Sequence, residues 1–561
     1  MPYDLKSLKV PRLAGAPLKS IVALMENNYS RTLLSPALMR ETGAAKIRST
    51  PLDTPPTYLP KHASGRQIAA ERAKGTLEIF AEPDFPATES PLPSVMDYAK
   101  AYRSGHIGPQ EIADKVIAAI IESDREQPPL RAIITTFDQD IRRQAGESAQ
   151  RLADGQPLSL FDGVPVVVKD EIDAVPYATT VGTKVYGNTN SAEHDATVVA
   201  RLRAAGAVII GKANMQEIGI GVTGANSHHG HCRNPHNLHH YPGGSSSGSA
   251  ASVAAGLCPV AVGADGGGSI RIPAALCGLA GLKPTWGRIS EHGAFPLCWS
   301  VAHIGPIGQT VDDVAMAYAL MAGADPLDSF SIEQPLPHLS EYRNKDLSGL
   351  TIGIYSSWFS HASREVVQKC QLAIEKLKSL GATIKNITIE DLDLQRIAHA
   401  LTISSEMLAA VDTEYRRNSK DFALNTRLNL ALAKIFSSTD YVKAQRVRTL
   451  AINEFNRVLQ EVDIIVSPST AITATLVQQE SEDSAESNIQ VLTELMRFAF
   501  PANLTGLPAL TVPVDYDDKG LPIGLQLMGK AWHEHLLLRC GKALEGMCER
   551  KRAAYSFNML R

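Results

Sequence analysis

The sequence predicts an α/β fold, and three stretches carry the prediction. Residues 193–211 read as a helix with Asp195 at its N-cap and Val198, Val199, Leu202 and Ala205 on one face; Gly206 ends it and residues 207–210 form a short strand. Residues 363–384 repeat that design far along the chain, with Val367, Cys370, Ile374 and Leu377 on the apolar face, Gly381 as terminator and a strand at 382–384. In the third stretch, 242–283, Val260 to Val262 stand between Pro259 and Gly263 as a buried strand. Residues 265–269 then form the loop past its carboxyl end, where open α/β sheets place ligands.

In chain order, residues 16–25 carry Leu18, Ile21, Val22 and Met25 on one helical face, with Pro17 in the first turn. A second short helix is expected at 33–39, interrupted by Pro36. Prolines recur over 49–62 and again over 83–93, which reads as extended chain wrapping a surface. Residues 1–93 are therefore taken as a helical extension with a proline-rich connection, and 94–561 as the main body, opening with a helix at 95–104. The run 164–168 is a strand that ends at Lys169. Further strands are expected at 350–355 and 462–466, and a turn at 517–520 joins 510–514 to 523–527 as a hairpin.

With 561 residues, 44% of them hydrophobic, the chain can bury a substantial core. Lys and Arg number 55 against 59 Asp and Glu, a net charge of −4 with no long run of one sign, which argues against nucleic acid as a partner. The odd count of 7 cysteines, without close regular spacing, suggests free thiols in a reducing compartment. The N-terminus lacks the pattern of a secretory signal, and no window reaches the ~18 apolar residues of a spanning helix. A cytoplasmic protein is expected.

Candidate chemistry gathers in the glycine-rich stretch. Three consecutive glycines leading into Ser269 can aim several N–H groups at one point, as an oxyanion hole with its nucleophile attached. The alternative is a packed small-residue turn, which the preceding strand disfavours. The pattern GxSxG is not matched at Ser269, and no histidine lies within the two small-residue clusters. Lys169 is the candidate base, because a lysine that ends a buried strand can lose enough solvation to be partly neutral.

Other patterns weigh less. GAVIIGK at 206–212 imitates a phosphate loop, but its middle reads as a strand and Ala213 stands where Ser or Thr is required. Gly219, Gly221 and Gly224 spell GxGxxG after a helical stretch, not after a strand. His228, His229, His231, His236, His239 and His240 lack the fixed helical spacing of zinc enzymes, so no metal is expected. Ser246, Ser247 and Ser249 read as caps or loop braces at the start of a helix over 248–255.

GGSSSGS, GADGGGSIRIP and LCGLAGLKPT, with GVPVVVKDEIDA upstream, resemble the amidase signature hydrolases. The likeness is to the plant-type fatty acid amide hydrolases of that family and extends to LKVPRLAG, DYAKAYRSG, EIGIGVTGANSHHG and GLPIGLQLMGKAW; it is weak over 47–94 and 325–344. The resemblance implies a large twisted mixed sheet covered by helices on both faces. It implies Ser269 as nucleophile, Ser245 as a bridging serine after a cis peptide and Lys169 as base. The N–H groups of Gly266, Gly267, Gly268 and Ser269 would form the oxyanion hole, with Asp265 and Arg271 bracing the loop. Ala264 departs from the family, where many members carry Thr. By resemblance the substrate is a long-chain fatty acid amide such as an N-acylethanolamine, hydrolysed without a cofactor by a homodimer. A generic amidase for small or aromatic amides, a component of an amidotransferase that works on charged tRNA, and a non-catalytic binding protein are the alternatives. The N-terminal helices would either pack on the body or on a second protomer, or form a peripheral membrane cap through Leu18, Ile21, Val22, Leu24 and Met25.

Overall fold

The computed structural model describes residues 3–8, 10–63, 78–81, 89–186, 192–482 and 486–561. Its centre is an 11-stranded mixed sheet. In spatial order the strands are Ile133–Thr135, Val208–Ala213, Pro165–Lys169, Val260–Ala264, Ile304–Gly308, Ala280–Lys283, Ala509–Tyr516, Pro522–Gly529, Ile464–Pro468, Thr351–Ile354 and Thr383–Asn386. Pro165–Lys169 lies parallel to both of its neighbours, Val208–Ala213 and Val260–Ala264. Every residue of these three strands is buried, which is why each is dominated by apolar and small residues and shows no in-and-out alternation.

The strands expected from sequence are present with ends moved by a few residues. Ala280–Lys283 and Ile304–Gly308 were not expected, and their glycines explain the omission. At Gly305 a Cβ would collide with the carbonyl oxygen of Leu282 on the neighbouring strand, so the residue that hides the strand in the sequence is the one that lets it pack. The expected hairpin is the antiparallel pair Ala509–Tyr516 and Pro522–Gly529.

Asp195 does not cap its helix. The helix is Thr197–Ala204 with Ala196 at the N-cap. The Asp195 carboxylate instead accepts the Val175 N–H at 2.7 Å and pairs with Arg203 at 2.9 Å. Ser363 does cap Arg364–Ser379, accepting the Val366 N–H. Gly206 and Gly381, with φ of 93° and 102°, end the two helices in a conformation open to glycine.

The extension begins with helices Gly15–Glu26 and Asn28–Glu41, the second continuing through Pro36. Leu18, Val22 and Met25 are buried against Leu428 and Ala431 of the helix Leu424–Ala433. Those side chains are consequently not a membrane face: packing on the body has taken them. Glu26 locks the contact by pairing with Arg427 at 2.6 Å. Leu24, Tyr29 and Leu33 remain exposed. Beyond the helices the proline-rich chain wraps the helix Ser438–Glu461: Thr57 N–H donates to the Gln445 carbonyl, and Arg448 donates to that of Tyr58. Residues 83–88 of the second proline run lie outside the described residues. A short antiparallel pair, Leu13–Ala14 with Glu486–Ser487, ties the extension to the far end of the chain.

Among the described residues, no helix is long and apolar enough to cross a membrane.

Candidate active site

Strand pairing brings the candidate residues together. Lys169 closes Pro165–Lys169, and the loop carrying Ser269 leaves the adjacent parallel strand Val260–Ala264, so both stand at the same end of the sheet. Ser245 arrives from a separate segment just before the helix Ser247–Ala254, and the peptide Gly244–Ser245 is cis. Lys169 Nζ donates to Ser245 Oγ at 2.8 Å and to the Ala264 carbonyl at 3.1 Å, and lies 3.3 Å from Glu171 Oε1. Lys169 and Ser245 are buried, and Ser269 keeps 6% of its surface open. The Ser246 N–H donates to the Ser269 carbonyl at 3.3 Å, holding the two serine segments side by side.

Asp265 organises the glycine loop. Its carboxylate accepts from the N–H groups of Gly268 at 2.6 Å and Ile270 at 3.1 Å, and from Arg271 Nε at 3.0 Å. Arg271, fully buried, also donates to Gln526 and Asn503, both at 2.6 Å, and to the Ala499 carbonyl at 3.0 Å. Burial alone would raise the Asp265 carboxyl; Arg271, with Lys283 and Asn503 behind it, carries it well below the ordinary carboxylate range. Gly268 was expected among the oxyanion donors, but its N–H is already given to Asp265. The N–H groups of Gly266, Gly267 and Ser269 have no partner among the described residues. These three are the donors free to meet a ligand oxygen.

Ser246, Ser247 and Ser249 brace the loop and do not cap the helix. Ser246 Oγ donates to the Ala264 carbonyl, Ser247 Oγ to that of Asn214 and Ser249 Oγ to that of Val262. Ser246 Oγ also accepts the Ala264 N–H at 3.3 Å, so a serine hydroxyl grips the backbone where Ala264 offers none.

Ser269 lines an apolar cavity of about 230 Å³. Its wall includes Ile220, Ile403, Met407, Phe436, Leu492 and Met496, and the extension adds Leu5, Leu8 and Ala44. A second cavity, of about 40 Å³, reaches Lys169, Ser245 and Ser269 together with Glu171, Glu291 and Cys298. Gly219 and Gly221, the accidental-looking glycine motif, lie along the larger cavity. Lys212 of the imitation phosphate loop is buried and donates to the Ile172 carbonyl at 2.7 Å and to Thr179 Oγ1 at 2.9 Å. The histidines point to separate partners: His228 Nε2 lies 2.6 Å from Glu217 Oε1, His231 Nε2 2.8 Å from the Ser481 carbonyl and His236 Nε2 3.1 Å from that of Cys277.

Sequence reasoning missed His399, Asn503 and Gln526 at this site. All three sit in segments far from the glycine-rich stretch, and the only local sign is a polar residue inside an apolar run.

The amidase family profile matches residues 115–538. The chain belongs to the amidase family. Its curated amidase relatives include the fatty acid amide hydrolase of Oryza sativa subsp. indica, 39% identical over 576 residues that span 98% of this chain and 95% of that protein. The fatty acid amide hydrolase of Arabidopsis thaliana is 36% identical over 97% of this chain and 94% of its own. A glutamyl-tRNA(Gln) amidotransferase component of Acaryochloris marina (strain MBIC 11017) is 35% identical over 79% of this chain and 96% of its own. Among solved amidases, the peptide amidase from Stenotrophomonas maltophilia superposes with a TM-score of 0.71 at 28% identity, covering 83% of this chain and 99% of that one.

Proposed function

We propose that this amidase hydrolyses long-chain fatty acid amides, N-acylethanolamines among them, to the fatty acid and the amine. The observation that carries the substrate class is the apolar cavity that Ser269 lines and that is walled partly by the N-terminal extension. In this reading unprotonated Lys169 takes the proton of Ser245, which takes that of Ser269, and Ser269 Oγ bonds to the amide carbon. The N–H groups of Gly266, Gly267 and Ser269 hold the carbonyl oxygen as it gains charge. The proton returns through Ser245 to the amide nitrogen, the C–N bond breaks, and the amine leaves an acyl-serine. Water, deprotonated by the same route, then displaces Ser269 and releases the acid.

Hydrolysis of amides that share one amine and differ only in acyl length tests the substrate class. The expected result is a kcat/KM that climbs with chain length, because each buried methylene contributes about 0.8 kcal/mol. A profile that is flat or favours short or aromatic acyl groups would instead assign a small-amide amidase. Turnover only inside a complex on charged tRNA would assign a component of an amidotransferase.

The proposal includes peripheral contact with a lipid surface, supported by Leu24, Tyr29 and Leu33, which are 48%, 76% and 64% exposed on the extension helices. The double substitution Leu24→Asp, Leu33→Asp is expected to lower binding to lipid vesicles and turnover of vesicle-borne long-chain amides. Hydrolysis of a short soluble amide and the melting temperature should stay at wild-type values. Unchanged vesicle binding would remove the membrane part of the proposal. Deleting the extension is a poorer test, because it uncovers Leu428 and Ala431 and should lower stability and every activity together.

A further inference from the structure

The peptide between Gly266 and Gly267 joins two residues without side chains, in a loop whose N–H groups at Gly266, Gly267 and Ser269 are the candidate oxyanion donors. Nothing in such a peptide prevents its plane from turning over and presenting a carbonyl oxygen where a donor is needed. The structure holds this plane from outside the loop: His399 Nε2 lies 2.8 Å from the Gly266 carbonyl oxygen. His399 is 1% exposed, and burial, the main cause, pushes its imidazole down to about 4 despite the carbonyl bond. The neutral ring has a single N–H, and the nitrogen that faces a carbonyl is the one that carries it. In a trans peptide the C=O and the following N–H point in opposite directions. Anchoring the Gly266 oxygen on His399 therefore aims the Gly267 N–H to the other side, away from the ring.

The ring packs beside the glycine loop and itself lines the apolar cavity. A Cβ on Gly267 would stand 3.0 Å from His399 Cε1, and the Phe500 ring centroid is 6.3 Å from that of His399. The helix that carries His399, Leu392–Asn418, also supplies Ala400, Ile403 and Met407 to the wall of the apolar cavity. One helix thus touches both the acyl cavity and the oxyanion loop.

We infer that His399 is a positioning residue that latches the Gly266–Gly267 peptide in the orientation the reaction requires and ties the acyl-binding helix to that loop. The inference rests on Ser269 being the nucleophile. It does not make His399 a proton carrier.

The test compares the full-length wild type with His399→Phe, which keeps a ring without the N–H, and His399→Gln, whose amide N–H reaches the place of Nε2. Each is assayed for kcat and KM on a short and a long amide, and for binding of a trifluoromethyl ketone, which forms a tetrahedral oxyanion adduct, against binding of a long-chain fatty acid. For His399→Phe the expected result is a kcat lowered about tenfold to a hundredfold on both amides, less than full loss of an oxyanion donor. KM and fatty acid binding should stay near wild type while ketone binding weakens in proportion to kcat. His399→Gln should recover most of the kcat. Wild-type kcat in His399→Phe, a loss confined to KM, or a glutamine variant as slow as the phenylalanine one would each overturn the latch. If His399→Phe does not fold, His399→Asn replaces it, since its shorter amide cannot reach Gly266. Fluorophosphonate labelling of the wild type separates the two levels of failure. An unlabelled Ser269 removes the nucleophile reading, whereas normal labelling with an indifferent His399→Phe removes the latch alone.

Discussion

Ser269→Ala is expected to abolish both amide hydrolysis and labelling by a serine-directed fluorophosphonate, while Ser245→Ala and Lys169→Ala leave slow residual turnover. Only Ser269 both opens onto the apolar cavity and adjoins the unpartnered N–H groups of Gly266 and Gly267. Ser245 and Lys169 lie behind it, joined by the 2.8 Å hydrogen bond, and can act on the carbonyl only by moving a proton. Removing a proton relay typically costs ~10² to 10⁴-fold in rate, whereas removing the nucleophile removes the acyl-enzyme. Mass spectrometry of the labelled protein, with rates for all three variants, checks the assignment. Labelling of Ser269→Ala at wild-type speed would sink it.

Arg271→Met is expected to be the most destabilising single change near the site. It leaves the Asp265 carboxylate, fully buried, facing no guanidinium, and strips Gln526, Asn503 and the Ala499 carbonyl of their donor. Breaking a buried pair by removing one partner costs about 3 to 5 kcal/mol. The pH dependence gives a second signature. Because the folded Asp265 carboxyl is held below its unfolded value, its contribution is present above about pH 3.9 and is lost as pH falls below that toward the folded value. Arg271→Met should therefore unfold at lower denaturant concentration at neutral pH, and the gap to wild type should narrow on acidification. Denaturant titrations at neutral and acid pH measure both, and an equal midpoint for variant and wild type at neutral pH would contradict the role given to the pair.

The α/β layering was legible because its central strands are buried on both faces and written largely in apolar residues, as in the three valines of Pro165–Lys169. Ile304–Gly308 was not, because close approach to its neighbour forces glycine into a strand. At the site, Ser269 could be named from its glycine loop and Lys169 from the end of a valine strand, while Ser245 came from the family resemblance carried by GGSSSGS. His399 could not, since its meaning depends on a helix returning to a loop 133 positions earlier in the chain. Gly268 was misjudged for a different reason: which of four adjacent N–H groups are free depends on where the Asp265 side chain turns, and the order of residues does not say. The same holds for Asp195, which is adjacent to its helix yet turned toward Val175 and Arg203.

Both ends of the chain, Leu5 to Ala44 and Ile489 to Phe500, supply walls of the apolar cavity beside segments 219–222, 396–407 and 429–436, whereas the proposed reacting residues lie between 169 and 269. On a ribosome, Lys169, Ser245 and Ser269 emerge more than two hundred residues before the last segment of that wall, Ile489 to Phe500, is made. A chain that stops short of Ile489 thus possesses Ser269 but an incomplete enclosure around it. The enclosure around Ser269 is therefore completed last as the polypeptide is synthesised, and truncation at either terminus removes part of it.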